Sequence, residues 1–328
     1  MDLTRDQFED LVGAYALDAC EPDEADAMER YLATHPAAAR EVERLRDVAS
    51  SLATIGTSRP PVSLLDRLLD TAAERVAPAD AGEALRKESD RFDRFLSTIE
   101  PAHLAVRTEN GLTVHELVQH VEAVDRAFVE AARRGSPAFI GADEAASITA
   151  AELPEHAGES FAQTITRLRR TRRELVGLRD EIPPEQRVAG YRRDDALVIR
   201  AFETWTHDDD IRRALGHDLA VPDAAVMRTM AELAMATLPL AMAARGLEHP
   251  GVTARVVLTG PGGGEWTVPC AVVDDPSARP DVVVRASVVD WCRRFADRID
   301  PAAVLGHVEG DEAVARDMVD AAAAFAGL

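Results

Sequence analysis

The sequence is poor in cysteine, aromatic residues, positive charge and long apolar runs, and each scarcity excludes something. Its three cysteines, Cys20, Cys270 and Cys292, contain no C-x-x-C pair. No disulfide framework or zinc knuckle is therefore visible, and a reducing cytoplasm is the natural setting. Aromatics make up 5% of the 328 residues while alanine is abundant, which favours packed helices over a β-sandwich. The 37 basic residues face 58 acidic ones, for a net charge of −21, and such a surface repels nucleic acid and anionic membranes alike. The most apolar stretch, AMATLPLAMAARG, contains Pro239 and falls short of the roughly 20 residues a membrane helix needs. The acidic start MDLTRDQFED lacks the basic-then-apolar pattern of a signal segment. A basic protein surface or a small ligand is the better-matched partner.

What is present is mainly helical periodicity, in three blocks. In residues 1–78, FEDLVGAYAL sets Phe8, Leu11, Val12, Tyr15 and Ala16 on one face. A second helix opens at Pro22 with acidic residues at its positive end, AAAREVERLRDVASSLA makes a third, and VSLLDRLLDTAAERV a fourth. APADAG reads as a linker. In residues 83–247, four long helices imply a bundle. The clearest runs from 112 to 135, with Thr113 and Glu116 as a capping box and Gly135 as its stop. Another spans 195–215 and is closed by Gly216, and a fifth helix covers 223–246. Residues 251–328 alternate like strands and then end in helices, which reads as a small α/β domain. Its GPGGG run lacks the Lys-Ser/Thr of a phosphate loop and is expected to be a hairpin turn.

One stretch carries chemistry. In RAFETWTHDDDIRRALG, Glu203 and His207 stand four residues apart, so both leave one helix face, and both residue types bind zinc at about 2.0–2.2 Å. A third ligand must come from another helix, and His120, set among Leu117, Val118, Val121 and Val124, is the best candidate. Such a three-ligand site leaves a position open for water or a thiolate. The same spacing also occurs on solvated helix faces, and a lone helical histidine can be a hydrogen-bonded core residue. Asp208, Asp209 and Asp210 are expected on the helix surface, with at most one of them orienting a ligand histidine.

Two segments widen this reading by resemblance. GLTVHELVQHVEAVDRAF and IRAFETWTHDDDIRRALG resemble helices of the mycothiol-dependent maleylpyruvate isomerase family, a branch of the DinB-like metal-binding bundles. The closing VEGDEAVARDM resembles that family's C-terminal α/β domain, so the likeness covers about residues 83–328. The resemblance places the metal ligands on His120, Glu203 and His207, with zinc as the preferred metal and mycothiol as the thiol cofactor. It also implies an arginine that holds an anionic substrate or cofactor: Arg298 is the nearest counterpart, and Arg293 and Arg294 are its rivals. Leu112 and Glu116 depart from the family's usual Trp and Asp and are expected to alter the ligand pocket.

The first block, FEDLVGAYALDACEPDEADAMERYLATHPAAAREVERLRDVA, resembles the helical domain of anti-sigma factors. At the place of their H-x-x-x-C-x-x-C zinc motif stand Tyr31, His35 and Ala38, so no zinc is expected there and apolar packing must hold the unit. The resemblances together imply a soluble, cytoplasmic anti-sigma factor. It would bind a sigma factor through residues 1–78 and sense a small thiol or electrophile through the bundle. The alternative is an active mycothiol-dependent isomerase or S-transferase with a regulatory N-terminal block. A homodimer is compatible with either. Cys20, just before a helix start, is placed for a lowered thiol pKa, although a buried, inert cysteine fits as well.

Overall fold

The computed structural model describes residues 3–17, 19–20, 22–55, 76–136, 138–272, 274–277 and 279–323. The chain divides into two compact units, residues 1–65 and 66–328.

The first unit contains α1 (Arg5–Ala16), α2 (Pro22–Thr34) and α3 (Pro36–Ile55). Thr4 caps α1 by accepting from the Gln7 backbone N–H, while the Gln7 side chain returns the bond, so two otherwise orphaned donors are satisfied at the helix start. The core is small: Phe8, Met28, Tyr31, Ala38 and Val42, with Leu11, Val12 and Tyr15 packed against it. Apolar packing thus holds the unit, along the face the periodicity marked. His35 stacks on Tyr31 at 4.0 Å, and its Nδ1 lies 2.8 Å from the Tyr31 carbonyl oxygen. The fourth helix expected at 62–76 falls almost wholly outside the described residues.

The described residues of the second unit are mainly α, with a two-stranded hairpin and a four-stranded sheet. Its bundle consists of α4 (Ala81–Leu96), α5 (Val114–Arg134), α7 (Phe161–Glu181) and α8 (Arg193–Leu215). The helices pair as α4 with α8 and α5 with α7. The α5 signals act as read: Thr113 and Glu116 form the capping box, and Gly135 ends the helix at φ 62°. A short helix that the sequence reading did not anticipate, α6 (Ala142–Glu155), lies against α5. Its N-cap, Gly141, supplies no side-chain cap, so the usual start signal is absent. Between α7 and α8, a hairpin of β1 (Arg187–Val188) and β2 (Tyr191–Arg192) turns through Ala189 and Gly190, both at positive φ.

Helix α9 (Ala224–Arg245) joins the bundle to the C-terminal sheet. That sheet contains β3 (Thr253–Thr259), β4 (Gly264–Pro269), β5 (Val282–Ser287) and β6 (His307–Gly310), in the order β4-β3-β5-β6. The β3–β5 pair is parallel and the other two are antiparallel. The GPGGG run is the β3–β4 hairpin turn, where a Cβ at Gly262 would strike the Ala224 carbonyl oxygen. Two helices, α10 (Val288–Phe295) and α11 (Glu312–Ala322), complete the domain. One apolar cluster runs from the bundle through α9 into the sheet, with Phe202 and Trp205 at one end and Val256 and Trp291 at the other.

Among the described residues, no helix is long and apolar enough to cross a membrane.

Candidate functional site

Helix α8 is buried on nearly all sides from Ala196 to Ile211, because α4 and α7 of the bundle, α9 and the C-terminal domain surround it. This overturns the surface placement expected for its three aspartates: Asp208, Asp209 and Asp210 are 0%, 1% and 6% exposed. Burying three adjacent carboxylates is tolerable only if each is paired, and each has an arginine. Asp208 pairs with Arg91 at 3.3 Å and Arg212 at 2.8 Å, Asp209 with Arg293 at 3.0 Å, and Asp210 with Arg298 at 2.7 Å. Two of these arginines come from the C-terminal domain, so the aspartates fasten that domain to the bundle.

Glu203 and His207 lie on the face of α8 that lines a cavity of about 430 Å³. The cavity brings together His120, Glu203, His207 and Arg298; Arg293 and Arg294 do not line it. Arg294 is instead buried against the carbonyl oxygens of Val319 and Ile299. Leu112 lines the cavity, as its departure from the family pattern suggested, whereas Glu116 is occupied by the α5 cap. Helix α6 contributes one wall through Ala145, Thr149 and Leu153.

Hydrogen bonds set both histidine tautomers. Thr149 Oγ1 gives its single proton to the Ala145 carbonyl oxygen at 2.6 Å, so it must accept from His120 Nδ1 at 2.5 Å. His120 therefore carries its proton on Nδ1 and keeps the Nε2 lone pair. On His207, Nδ1 lies 3.1 Å from Asp210 Oδ2, a carboxylate acceptor, and Asp210 is in turn gripped by Arg298 Nε at 2.7 Å and Nη2 at 3.0 Å. One aspartate thus orients a histidine, as expected. His207 Nε2 is buried without a hydrogen-bond partner and stands 3.3 Å from Glu203 Oε2. The two imidazoles meet edge to face, with ring centroids 5.1 Å apart.

The electrostatics agree with this assignment for His120; on His207 they favour the charged ring, so its Nε2 lone pair is available only once that proton is lost. Burial, and then the neighbouring His207 and Arg200, push His120 down to about 3, so it stays neutral. Burial would raise Glu203, but the close contact and charge of His207 outweigh it and hold Glu203 at about 2. Burial also opposes charge on His207, yet Asp210 and Glu203 leave it above its ordinary value. Burial, followed by Glu203, pushes the Tyr191 hydroxyl up, so it remains protonated. None of the cysteines lines the cavity. Burial and then Glu24 raise the Cys20 thiol rather than lowering it, and burial raises Cys270 to about 11.

The donor set suits a metal. Two donors held about 2.1 Å from one tetrahedral ion lie about 3.4 Å apart, close to the Glu203–His207 spacing of 3.3 Å. Both histidines present Nε2 and are braced at Nδ1 by an oxygen, which is how protein histidines are prepared for metals. The site is nonetheless not closed around an ion: among the described residues, no group of three or more His, Cys, Asp or Glu side chains stands in metal-holding geometry. The sequence reading missed Arg200, Tyr191 and Thr149. The signal for Arg200 was available, since it stands three residues before Glu203 and seven before His207 on one helix face.

Comparisons with known proteins bear on the bundle. No curated protein matches the chain. Two solved structures are similar, both of a mycothiol-dependent maleylpyruvate isomerase, one carrying a point mutation. They share 17% and 18% identity with the chain at TM-scores of 0.42 and 0.41, each match covering 67% of this chain and 88% of the other. The match to a family model does not reach residues 1–84, and nothing in the comparisons speaks for a sigma-factor partner. Residues 85–212, which hold all three candidate ligands, match the model described as the mycothiol maleylpyruvate isomerase N-terminal domain.

Proposed function

We propose that the cavity is the working site of a mycothiol-dependent isomerase or S-transferase, built on His120, Glu203 and His207. The observation that carries this reading is the convergence of His120, Glu203 and His207 on one cavity, with His207 Nε2 3.3 Å from Glu203 Oε2. These side chains are metal-ligand types, and an ion between them would engage all three. His120, Glu203 and His207 would hold a divalent metal, zinc by preference, and such an ion would supply a Lewis acid that favours thiolate over thiol.

The chain's own residues do the rest. Thr149 and Asp210 brace the two imidazoles at Nδ1, which leaves the Nε2 of His120 a lone-pair donor and would leave that of His207 one once its second proton is lost. Arg298 acts as a positioning residue: its grip on Asp210, with Nη1 donating to the Ala296 carbonyl oxygen at 2.7 Å, fixes the carboxylate that braces His207. The catalytic role that the resemblance implied for Arg298 is thus recast as support. Tyr191 keeps a proton at the cavity wall. Val124, Phe128, Ile140 and Leu153 keep that wall dry, which strengthens every charge interaction inside. Purified protein loaded with zinc should convert maleylpyruvate in the presence of mycothiol and lose that activity in His207→Ala. A protein that takes up less than about 0.1 zinc per chain ends the metal reading.

A second reading concerns residues 1–78. The three described helices build a core of their own, which chemistry in the bundle does not require, and this favours a binding module. The sequence resemblance makes its partner a sigma factor, whose basic surfaces complement an acidic chain. Co-purification from cells tests it, and a chain that retains no sigma factor sinks it.

A further inference from the structure

The positive charges around the cavity are answered within the chain. Arg298 spends Nε and Nη2 on Asp210, at 2.7 and 3.0 Å, and Nη1 on the Ala296 carbonyl oxygen at 2.7 Å. Arg200 donates from Nε to Asp125 at 2.7 Å, and its side chain is 4% exposed. His207 stands between Glu203 and Asp210, at 3.3 and 3.1 Å, and burial keeps His120 uncharged. Among the described residues that line the cavity, these four are the only side chains able to carry a positive charge, and each of the three charged ones already has a carboxylate. The threonine hydroxyls are spent as well: Thr149 donates to the Ala145 carbonyl oxygen at 2.6 Å and Thr206 to that of Phe202 at 3.0 Å, each inside its own helix.

What the cavity offers a ligand is apolar surface. Val124 and Phe128 of α5, Leu153 of α6 and Ile199 of α8 face one space, with Leu112 and Ile140 from the segments that lead into α5 and α6. A carboxylate entering this space gives up its water without gaining a counter-charge of its own, which is costly. An apolar group of the same size gains by leaving water.

We infer that the cavity selects a neutral, apolar ligand, so that the partner of the thiol is an uncharged electrophile rather than a carboxylate. The inference rests on the cavity being the site of thiol chemistry, and of the two reactions proposed for it the wall favours S-transfer. The step is an addition. The thiol gives up its proton, its sulfur forms a bond to one carbon of an activated double bond as the π bond breaks, and the other carbon takes up a proton. Atoms and electrons balance with no oxidant and no leaving group. Maleylpyruvate, a dicarboxylate, is then the poorer of the two acceptors.

Calorimetric titration of the full-length protein with diethyl succinate and with succinate, neither of which reacts with thiols, reads the selection without turnover. Wild type should bind the diester at least about tenfold more tightly than the dianion. Leu153 and Ile140 are half-buried on the wall, so a polar residue at either spares the deeper core. Leu153→Asn should weaken the diester about three- to tenfold and leave succinate unchanged. Should that variant fail to fold, Ile140→Thr takes its place, with a smaller loss in the same direction. Equal or tighter binding of succinate by wild type, or binding of neither compound, overturns the inference. So does a folded wall variant that binds the diester as wild type does. With zinc-loaded protein and mycothiol, the acceleration over the uncatalysed addition should be at least about tenfold greater for diethyl maleate than for maleate. Diester binding without catalysed addition removes the thiol-chemistry reading and leaves the ligand selection standing. Catalysed addition to maleate or maleylpyruvate in preference to the diester keeps that reading and overturns the inference.

Discussion

At the scale of single residues, two side chains outside the ligand set make measurable claims. Thr149 accepts from His120 Nδ1 while donating to Ala145, so it fixes the ring at the nitrogen opposite Nε2. Thr149→Val keeps the shape and removes the acceptor. Losing such an outer partner typically costs about 10–100-fold in metal affinity, with about 1 kcal/mol in stability. Competition with a chromogenic zinc chelator should show the first, and unchanged zinc affinity would remove Thr149 from the site. Glu88 on α4 makes the second claim. Burial pushes its carboxyl up to about 7, against the attraction of Arg91. Because the folded value lies above the unfolded one of about 4.5, the protonated group favours the fold. That contribution is complete below about pH 4.5 and is lost as the pH rises through 7. The span corresponds to about 3 kcal/mol. Glu88→Gln cannot lose a proton, so its stability relative to wild type should climb between pH 5 and 8 in urea titrations. A difference that stays flat across that range would mean that Glu88 ionises normally.

At the scale of elements, the contrast between α5 and α8 shows what a sequence can and cannot tell. Thr113, Glu116 and Gly135 act locally, through caps whose partners lie within a turn, and they mark α5 without knowledge of the rest of the fold. Helix α8 is surrounded by other elements, so the rule that charge marks a solvent face fails for Asp208 to Asp210. Arg212 and Arg213 pair with them one turn on, but their other arginine partners, Arg91 on α4 and Arg293 and Arg298 in the C-terminal domain, stand over 80 residues away in the chain, and no periodicity brings those positions together. The metal candidates were legible because Glu203 and His207 share one turn-to-turn register, with His120 added on the strength of its apolar neighbours. The wall made by α6 was not, because neither a side-chain cap nor a strong apolar stripe announces it. The aspartate row implies a stability test. Asp209→Asn leaves Arg293 facing a neutral amide and should cost about 3 kcal/mol in urea unfolding. Pairing it with Arg293→Met should recover part of that loss, since the two side chains act as a unit. Additive losses in the double variant would mean that the pair does not fasten the C-terminal domain.

At the scale of the whole molecule, the two units differ in how much each can hold by itself. Among the described residues, the core of the larger unit is entered at Ala79: its N–H donates to the Ala225 carbonyl oxygen at 3.0 Å, and its carbonyl oxygen accepts from Thr229 Oγ1 at 2.8 Å. Ala79 and Ala81 already belong to the apolar cluster that continues through α9 into the sheet. Everything the cavity needs, from Leu112 to Arg298, lies after that point. Among its described residues, the smaller unit has five buried apolar residues in its core, and chains of that size stand near the limit of independent folding. A protein beginning at residue 79 should therefore keep a cooperative thermal transition within a few degrees of the full chain, bind zinc with the same stoichiometry and retain any turnover. Residues 1–78 alone should melt lower and over a broader range, and a partner that binds only the folded form should raise that midpoint with concentration. Calorimetry and elemental analysis on the two fragments separate the alternatives. If zinc binding vanishes in the shortened chain, residues 1–78 contribute to the site and the chemistry is not confined to the bundle. If zinc binding persists while the small unit becomes stable only beside a partner, the chain combines a thiol-chemistry domain with a separate module for recognising another protein.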